Sequence, residues 1–181
     1  MLFKSDILKY KKYSGKPALI LIITTQGLWA ICVYRISNFI YKSNLPKLIK
    51  KPLLLISILF QKWIEIITGI SIPYSASIGK SFYIGHFGGI IINAKSVIGD
   101  NCNISQGVTI GVSGRGDKRG IPIIKNNVYI GANAVVAGKI EIGNNCVVAA
   151  NSLVINSIED NSTVIGVPAK IINKNSSIGY I

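Results

Sequence analysis

Histidine is the scarcest reactive side chain here: of 181 residues, only His86 carries an imidazole. A zinc centre built on three histidines is therefore excluded. Carboxylates are nearly as scarce, and Asp6, Glu65, Asp100, Asp117, Glu141, Glu159 and Asp160 are all there are, against twenty Lys and Arg. The three cysteines form no C-x-x-C pair, so no redox or metal motif is present. They read as core filler in a reducing compartment, and an acyl-cysteine mechanism finds no support. No small-residue cleavage site follows the first apolar stretch, so no secretory signal is read. The basic residues are not interleaved with aromatics, which argues against a nucleic-acid surface despite a net charge of +13.

What the chain does have is a period of six. Ile78, Ile84 and Ile90 are six apart. After a two-residue offset come Ile92, Ile98, Ile104 and Ile110, and after an interruption Ile124, Ile130, Val136, Ile142, Val148 and Val154. Helices repeat every 3.6 residues and strands every two. A hexapeptide period reads instead as one short strand and one turn per unit, stacked as a parallel β-helix. Four residues after each aliphatic stand Ser96, Cys102, Val108, Val128, Ala134, Ile140, Cys146 and Ser152, which suit a narrow prism. The Gly that often follows the aliphatic (Gly79, Gly85, Gly99, Gly111, Gly131, Gly143) is expected at a corner of positive φ.

Ahead of the repeats lies a different composition. Residues 1–70 hold eleven Lys or Arg and only two acids, and residues 71–181 hold nine and five. Pro17 to Tyr34 and Pro52 to Gln61 are free of charge. Pro17, Pro46 and Pro52 suit first helical turns, and two or three helices are expected, the last ending at Gly69. The eighteen residues of Pro17–Tyr34 reach the lower limit of a membrane span, but Thr24-Thr25-Gln26-Gly27 interrupts them. A helix lying on the membrane, with Trp29, Tyr34, Trp63 and lysines at headgroup level, fits better. The chain thus divides into an apolar, basic helical segment at 1–69 for oligomer or membrane contact, repeats at 70–172, and a tail at 173–181.

The repeat fails twice, and both failures carry candidate chemistry. His86 stands two residues past an inward aliphatic, beside Gly88 and Gly89, so its ring should leave the prism at a corner. Residues 112–123, Val-Ser-Gly-Arg-Gly-Asp-Lys-Arg-Gly-Ile-Pro-Ile, form a Gly-rich basic excursion. Arg115, Lys118 and Arg119 on it favour an anionic ligand.

Gly85-His86-Phe87-Gly88-Gly89, Ser105-Gln106-Gly107-Val108-Thr109-Ile110-Gly111, the excursion and Gly166-Val167-Pro168-Ala169-Lys170 together resemble the left-handed β-helix acetyltransferases. The closest likeness is to the serine acetyltransferases and the polysaccharide O-acetyltransferases. The resemblance covers residues 70–172. It implies a mostly β fold, a left-handed parallel β-helix of hexapeptide repeats behind an N-terminal α-helical segment. It also implies a homotrimer with sites between subunits, acetyl-CoA as acyl donor, no metal, and His86 as general base. Gly111, Ser113, Gly114, Ala132 and Ala150 would lie along acetyl-CoA, with Lys125 and Lys170 toward its phosphates. Gly85, Arg115 and Arg119 would face the acceptor.

Three positions depart from the serine acetyltransferase pattern. Gly85 stands where the family has Asp, Arg119-Gly120-Ile121-Pro122 where it has Asp-Arg-His-Pro, and Ser71 where it has the acid partner of the His. His86 is then oriented by Ser71, by a backbone carbonyl, or by Asp117 of a neighbouring subunit. Gly85 and Ile121 cannot anchor an amino acid by charge. The expectation is an O-acetyltransferase acting on a sugar hydroxyl of a surface polysaccharide or its precursor, at the cytoplasmic face of the membrane, with higher assembly through the helices an option. The alternatives are a serine O-acetyltransferase and a non-catalytic scaffold.

Overall fold

The aliphatic period becomes three walls. A computed structural model describes residues 2–181, with Lys118 described in its backbone only. The first wall holds β1 (Ile70–Ser71), β4 (Ile90–Ile92), β7 (Thr109–Gly111), β10 (Val135–Ala137) and β13 (Leu153–Val154). The second holds β2 (Ser77–Ile78), β5 (Val97–Ile98), β8 (Ile123–Ile124) and β11 (Glu141–Ile142). The third holds β3 (Tyr83–Ile84), β6 (Asn103–Ile104), β9 (Tyr129–Ile130), β12 (Val147–Val148), β14 (Thr163–Gly166) and β15 (Ala169–Asn173). Every pairing is parallel except β14 with β15.

The register reports where residues were inserted. Ile130 sits on Val148, one regular coil of 18 residues. Ile84 sits on Ile104, 20 residues on, because the His86 corner holds two extra residues. Ile104 sits on Ile130, 26 residues on, because the excursion intervenes. The aliphatics of the period are at most 4% exposed, and burying each such side chain contributes about 1.5–3 kcal/mol. Ile140 is the exception at the small position, being only half-buried.

The corner glycines are not where the backbone turns left-handed. That conformation falls instead to Asn101, Asn127, Asn133, Asn145, Asn151 and Asn161, with φ between 56° and 60°, and to Ser81. Asn tolerates this region through local hydrogen bonding. Gly131 is required for another reason: a Cβ there would lie 2.6 Å from the backbone N of Ala150 in the next coil. Asn101, Asn127, Asn145 and Asn161 form a ladder, each Nδ2 donating to the next Oδ1 at 2.8 to 3.0 Å.

The leader has four helices, one or two more than the apolar stretches suggest: α1 (Leu2–Ser14), α2 (Ala18–Thr24), α3 (Gln26–Lys42) and α4 (Lys47–Thr68). The first is lysine-rich and was hidden by its charge. Pro17 and Pro46 precede α2 and α4, whereas Pro52 lies inside α4 rather than in a first turn. Gly69 closes α4 in the left-handed region, φ 64°. Thr25 breaks the uncharged stretch, and α2 and α3 meet at 92°. No single described helix is long and apolar enough to cross a membrane, although the bent pair passes by length and composition.

α1 and α3 close the open end of the prism. The first coil presents edge strands whose carbonyls and amides need partners. Tyr34 Oη donates to the Ala76 carbonyl at 2.9 Å, and Asn38 Nδ2 to those of Tyr74 and Ala76. Arg35 donates to the Ile78 and Gly79 carbonyls and pairs with Asp6, wholly buried, at 2.9 and 3.0 Å. Asp6 in turn accepts the Phe82 amide at 2.8 Å.

Candidate active site

His86 sits in the corner between β3 on the third wall and β4 on the first, and its side chain is exposed. Gly88 and Gly89, φ 100° and 66°, complete the turn. Beside the ring opens a pocket of about 380 Å³ lined by Tyr13, Tyr83, Gly85, His86, Asn103, Ser105, Tyr129 and Tyr180. Its wall is built from the outward residues of β3, β6 and β9, which follow from strand alternation. Tyr13 of α1 stacks edge-on to Tyr83 with centroids 4.7 Å apart, and Tyr180 of the tail lies against Tyr129 at 5.0 Å. Burial pushes the Tyr83 hydroxyl pKa up, so it stays a neutral donor.

Asn103 is the structural centre of that wall, 4% exposed. Its Nδ2 donates to Tyr13 Oη at 3.0 Å and to the Tyr180 carbonyl at 2.9 Å, and its Oδ1 is buried without a partner. An unpartnered buried acceptor costs about 1–3 kcal/mol and is where an incoming donor gains most. None of Tyr13, Tyr83, Asn103, Tyr129 or Tyr180 stood out in the sequence. The outward positions carry no period of their own, and Tyr13 and Tyr180 come from outside the repeats.

The expected site residues fall at different corners. Ala132 and Ala150 share the His86 edge two and three coils further along, and Gly166 to Lys170 lie beyond them, with Lys170 exposed. Gly111, Ser113 and Gly114 lie at the corner between first and second walls. There the excursion is pinned by mutual backbone hydrogen bonds of Ser113 and Gly120 at 3.0 and 3.1 Å. Arg115, Asp117 and Arg119 are exposed on it, and the Lys118 side chain lies outside the described residues. Asp117 therefore does not meet His86 within one protomer. Lys125 is at the third corner and holds Glu141 at 2.7 Å, which raises the lysine's pKa. A phosphate there would have to compete with that carboxylate.

Ser71 brings a carboxylate that the sequence did not suggest. Its Oγ donates to Glu65 Oε1 at 2.7 Å. Gln61 Nε2 reaches the same oxygen at 2.9 Å, and Lys62 the other at 2.6 Å. Burial alone would push the Glu65 carboxyl up, but the hydrogen bonds from Lys62, Ser71 and Gln61 outweigh it and hold it below the usual carboxylate range. Among the described residues no group of three His, Cys, Asp or Glu could hold a metal ion.

Comparison with known proteins bears on the chemistry. Residues 121–156 match the family described as bacterial transferase hexapeptide (six repeats). The serine acetyltransferase of Staphylococcus aureus is 36% identical over 161 residues, covering 89% of this chain and 72% of that protein. That of Synechococcus elongatus is 30% identical over 159 residues, covering 88% of this chain. The chain spans 62% of that relative's length. Among solved structures, serine acetyltransferase from Brucella abortus superposes with a TM-score of 0.83 at 28% identity, covering 97% of this chain and 69% of that one. The Neisseria gonorrhoeae serine acetyltransferase in complex with serine gives 0.81 at 29%, covering 95% and 68%. A serine acetyltransferase in complex with CoA gives 0.80 at 28%, covering 94% and 68%.

These relatives overturn the expectation of a polysaccharide acceptor. That reading rested on a short apolar leader and on Gly85 and Ile121. The leader does not discriminate, because α1 to α4 lie within the part of the chain that superposes on serine acetyltransferases. The lost charges at 85 and 121 remove two expected contacts without supplying any for a sugar.

Proposed function

Since the chain belongs to the serine acetyltransferase family of hexapeptide-repeat transferases, we propose that it transfers the acetyl group of acetyl-CoA to the hydroxyl of L-serine. The observation that carries the reading is the single histidine, exposed at a glycine-cleared corner beside a polar, tyrosine-lined pocket. Imidazole changes protonation near neutrality, which suits it to take a proton from an alcohol. In this reading His86 removes the serine hydroxyl proton as the new C–O bond forms at the thioester carbonyl. The C–S bond then breaks, and the imidazolium returns its proton to the CoA thiolate. The intermediate oxyanion needs donors close by, for which the Gly88-Gly89 turn and the Ser113-Gly114 backbone are the candidates. Incubation with acetyl-CoA and L-serine, with mass analysis of the product, tests this. O-acetylserine is expected, and its absence alongside intact acetyl-CoA contradicts the proposal.

The separation of the corners supports a trimer. A prism cannot fold its excursion round to its own His86, whereas a neighbour can offer the excursion to it. A closed three-fold ring repeats that contact three times with no unpaired end.

We also infer a location at a membrane surface. Leu48, Leu55, Leu59, Trp63 and Ile66 recur along one face of α4, with Leu48 87% and Ile66 78% exposed. Exposed Lys47, Lys51 and Lys62 fringe it. An apolar stripe bordered by lysines and carrying a Trp complements an anionic lipid surface.

A further inference from the structure

His86 has no carboxylate of its own in the pattern of the repeats, and the end of α4 supplies one. Glu65 lies in the last turn of α4, and its backbone carbonyl accepts the Gly69 amide at 2.8 Å. The left-handed turn at Gly69 then packs directly on the histidine corner. A Cβ on Gly69 would stand 3.0 Å from Gly89 N and 3.1 Å from Gly88 Cα. Ile90 N donates to the Gly69 carbonyl at 3.0 Å, and β1 pairs Ser71 with Ile91. The helix end, Ser71 and the His86–Gly89 corner thus form one rim of the prism.

We propose that Glu65 is the positioning carboxylate for His86, acting through the Ser71 hydroxyl. Ser71 Oγ gives its hydrogen to Glu65 Oε1, which leaves its lone pairs to accept the ring N–H of His86. The ring is exposed, and such a side chain changes rotamer within nanoseconds, so it sweeps this rim. When His86 takes the substrate proton, the positive charge develops against a hydroxyl polarised by a carboxylate. Three hydrogen-bond donors converge on Glu65 and keep it ionised against the partial burial of its side chain, 17% exposed. Lys62 opposes the effect but is 64% exposed and screened by solvent. Asp117, the other carboxylate considered for this role, stands at a different corner of the same protomer. Glu65 escapes notice in the sequence because it precedes Ser71 by six residues, across a helix end.

The inference rests on the acetyl-transfer reading for its consequence but can be tested without it. Diethyl pyrocarbonate acylates imidazole, and His86 is the one imidazole in the chain. Glu65→Gln and Ser71→Ala should each slow carbethoxylation of His86 severalfold, Ser71→Thr should keep the original rate, and Glu65→Gln combined with Ser71→Asp should restore it. In turnover, the first two should lower kcat about 10- to 100-fold with KM for both substrates within about twofold, since a positioning residue acts on the transition state. Should Glu65→Gln fail to fold, Ser71→Ala makes the same comparison with Glu65 still held by Gln61 and Lys62. Unchanged carbethoxylation in folded Glu65→Gln or Ser71→Ala overturns the relay. Carbethoxylation that follows the pattern in a protein inert toward serine keeps the relay and rejects the acceptor instead.

Discussion

Tyr10 and Ile84 exchange two hydrogen bonds: the phenol donates to the Ile84 carbonyl at 2.9 Å and accepts the Ile84 amide at 3.0 Å. Ile84 is the last residue of β3 and lies two positions before His86, so α1 holds the strand that aims the histidine. Tyr10→Phe leaves both backbone groups buried and unpaired. It should destabilise the protein by about 1–3 kcal/mol, lowering the melting temperature by roughly 2–4 °C per kcal/mol at this chain length. Differential scanning calorimetry measures it, and an unchanged midpoint contradicts the clamp.

Gly85 offers a test of acceptor recognition. A Cβ there meets nothing closer than Tyr83 Cε1 at 3.6 Å, so Gly85→Asp should fold normally. Its carboxylate would face the ammonium of L-serine at the mouth of the His86 pocket. KM for L-serine should fall about three- to tenfold, the value of one partly exposed ion pair of roughly 1 kcal/mol. A steady-state series in serine decides it, and a raised KM argues that Gly85 does not border the amino group.

Lys9 gives the protein a pH signature. Its Nζ donates to Asn101 Oδ1 at 2.7 Å, at the end of the asparagine ladder. Burial lowers its pKa to about 8 from 10.5. Above about pH 8 the folded lysine has lost a proton that the unfolded chain retains to about 10.5, so stability climbs with pH. From about pH 9 the buried Cys102 thiol, pushed up to about 11, works the other way, because the unfolded chain ionises first. The melting temperature should therefore rise between pH 8 and pH 9, by at most about 2–4 °C. Lys9→Met should abolish the rise, and an identical slope in that variant excludes Lys9 as its source.

The lipid reading is measured by sedimentation with vesicles. Vesicles containing about a third anionic lipid should carry the protein down, and neutral ones should not. Raised salt should release it, since lysine attraction is screened within about 8–10 Å. Ile66→Glu and Leu59→Glu together should prevent binding. Equal partition into neutral and anionic vesicles, or none into either, contradicts the assignment of this face.

The scaffold was legible because its core is periodic: apart from two breaks, the large inward residues from Ile78 to Val154 obey one spacing, and burial selects aliphatic side chains at each of them. His86 was legible for the opposite reason, as the only imidazole at a break in that spacing. The corner chemistry was misread, since glycine suggests positive φ, whereas here Asn takes that role and several glycines answer to the close approach of the next coil. The pocket wall could not be read, because Tyr13, Asn103 and Tyr180 meet only through the fold and Asn103 looks like one more outward residue. Nor could the cap on the first coil be read, because Tyr34, Arg35 and Asn38 do that work through contacts more than thirty residues away.

The central claim, that His86 acts as the base in acetyl transfer to serine, rests most directly on one comparison. Thiol release from acetyl-CoA, followed as a function of L-serine concentration, gives kcat/KM for the unaltered protein and for His86→Ala. Saturable, serine-dependent release is expected, with kcat reduced about 10²- to 10⁴-fold in the variant. Release that ignores serine, or a His86→Ala protein that turns over serine at the original rate, contradicts the account.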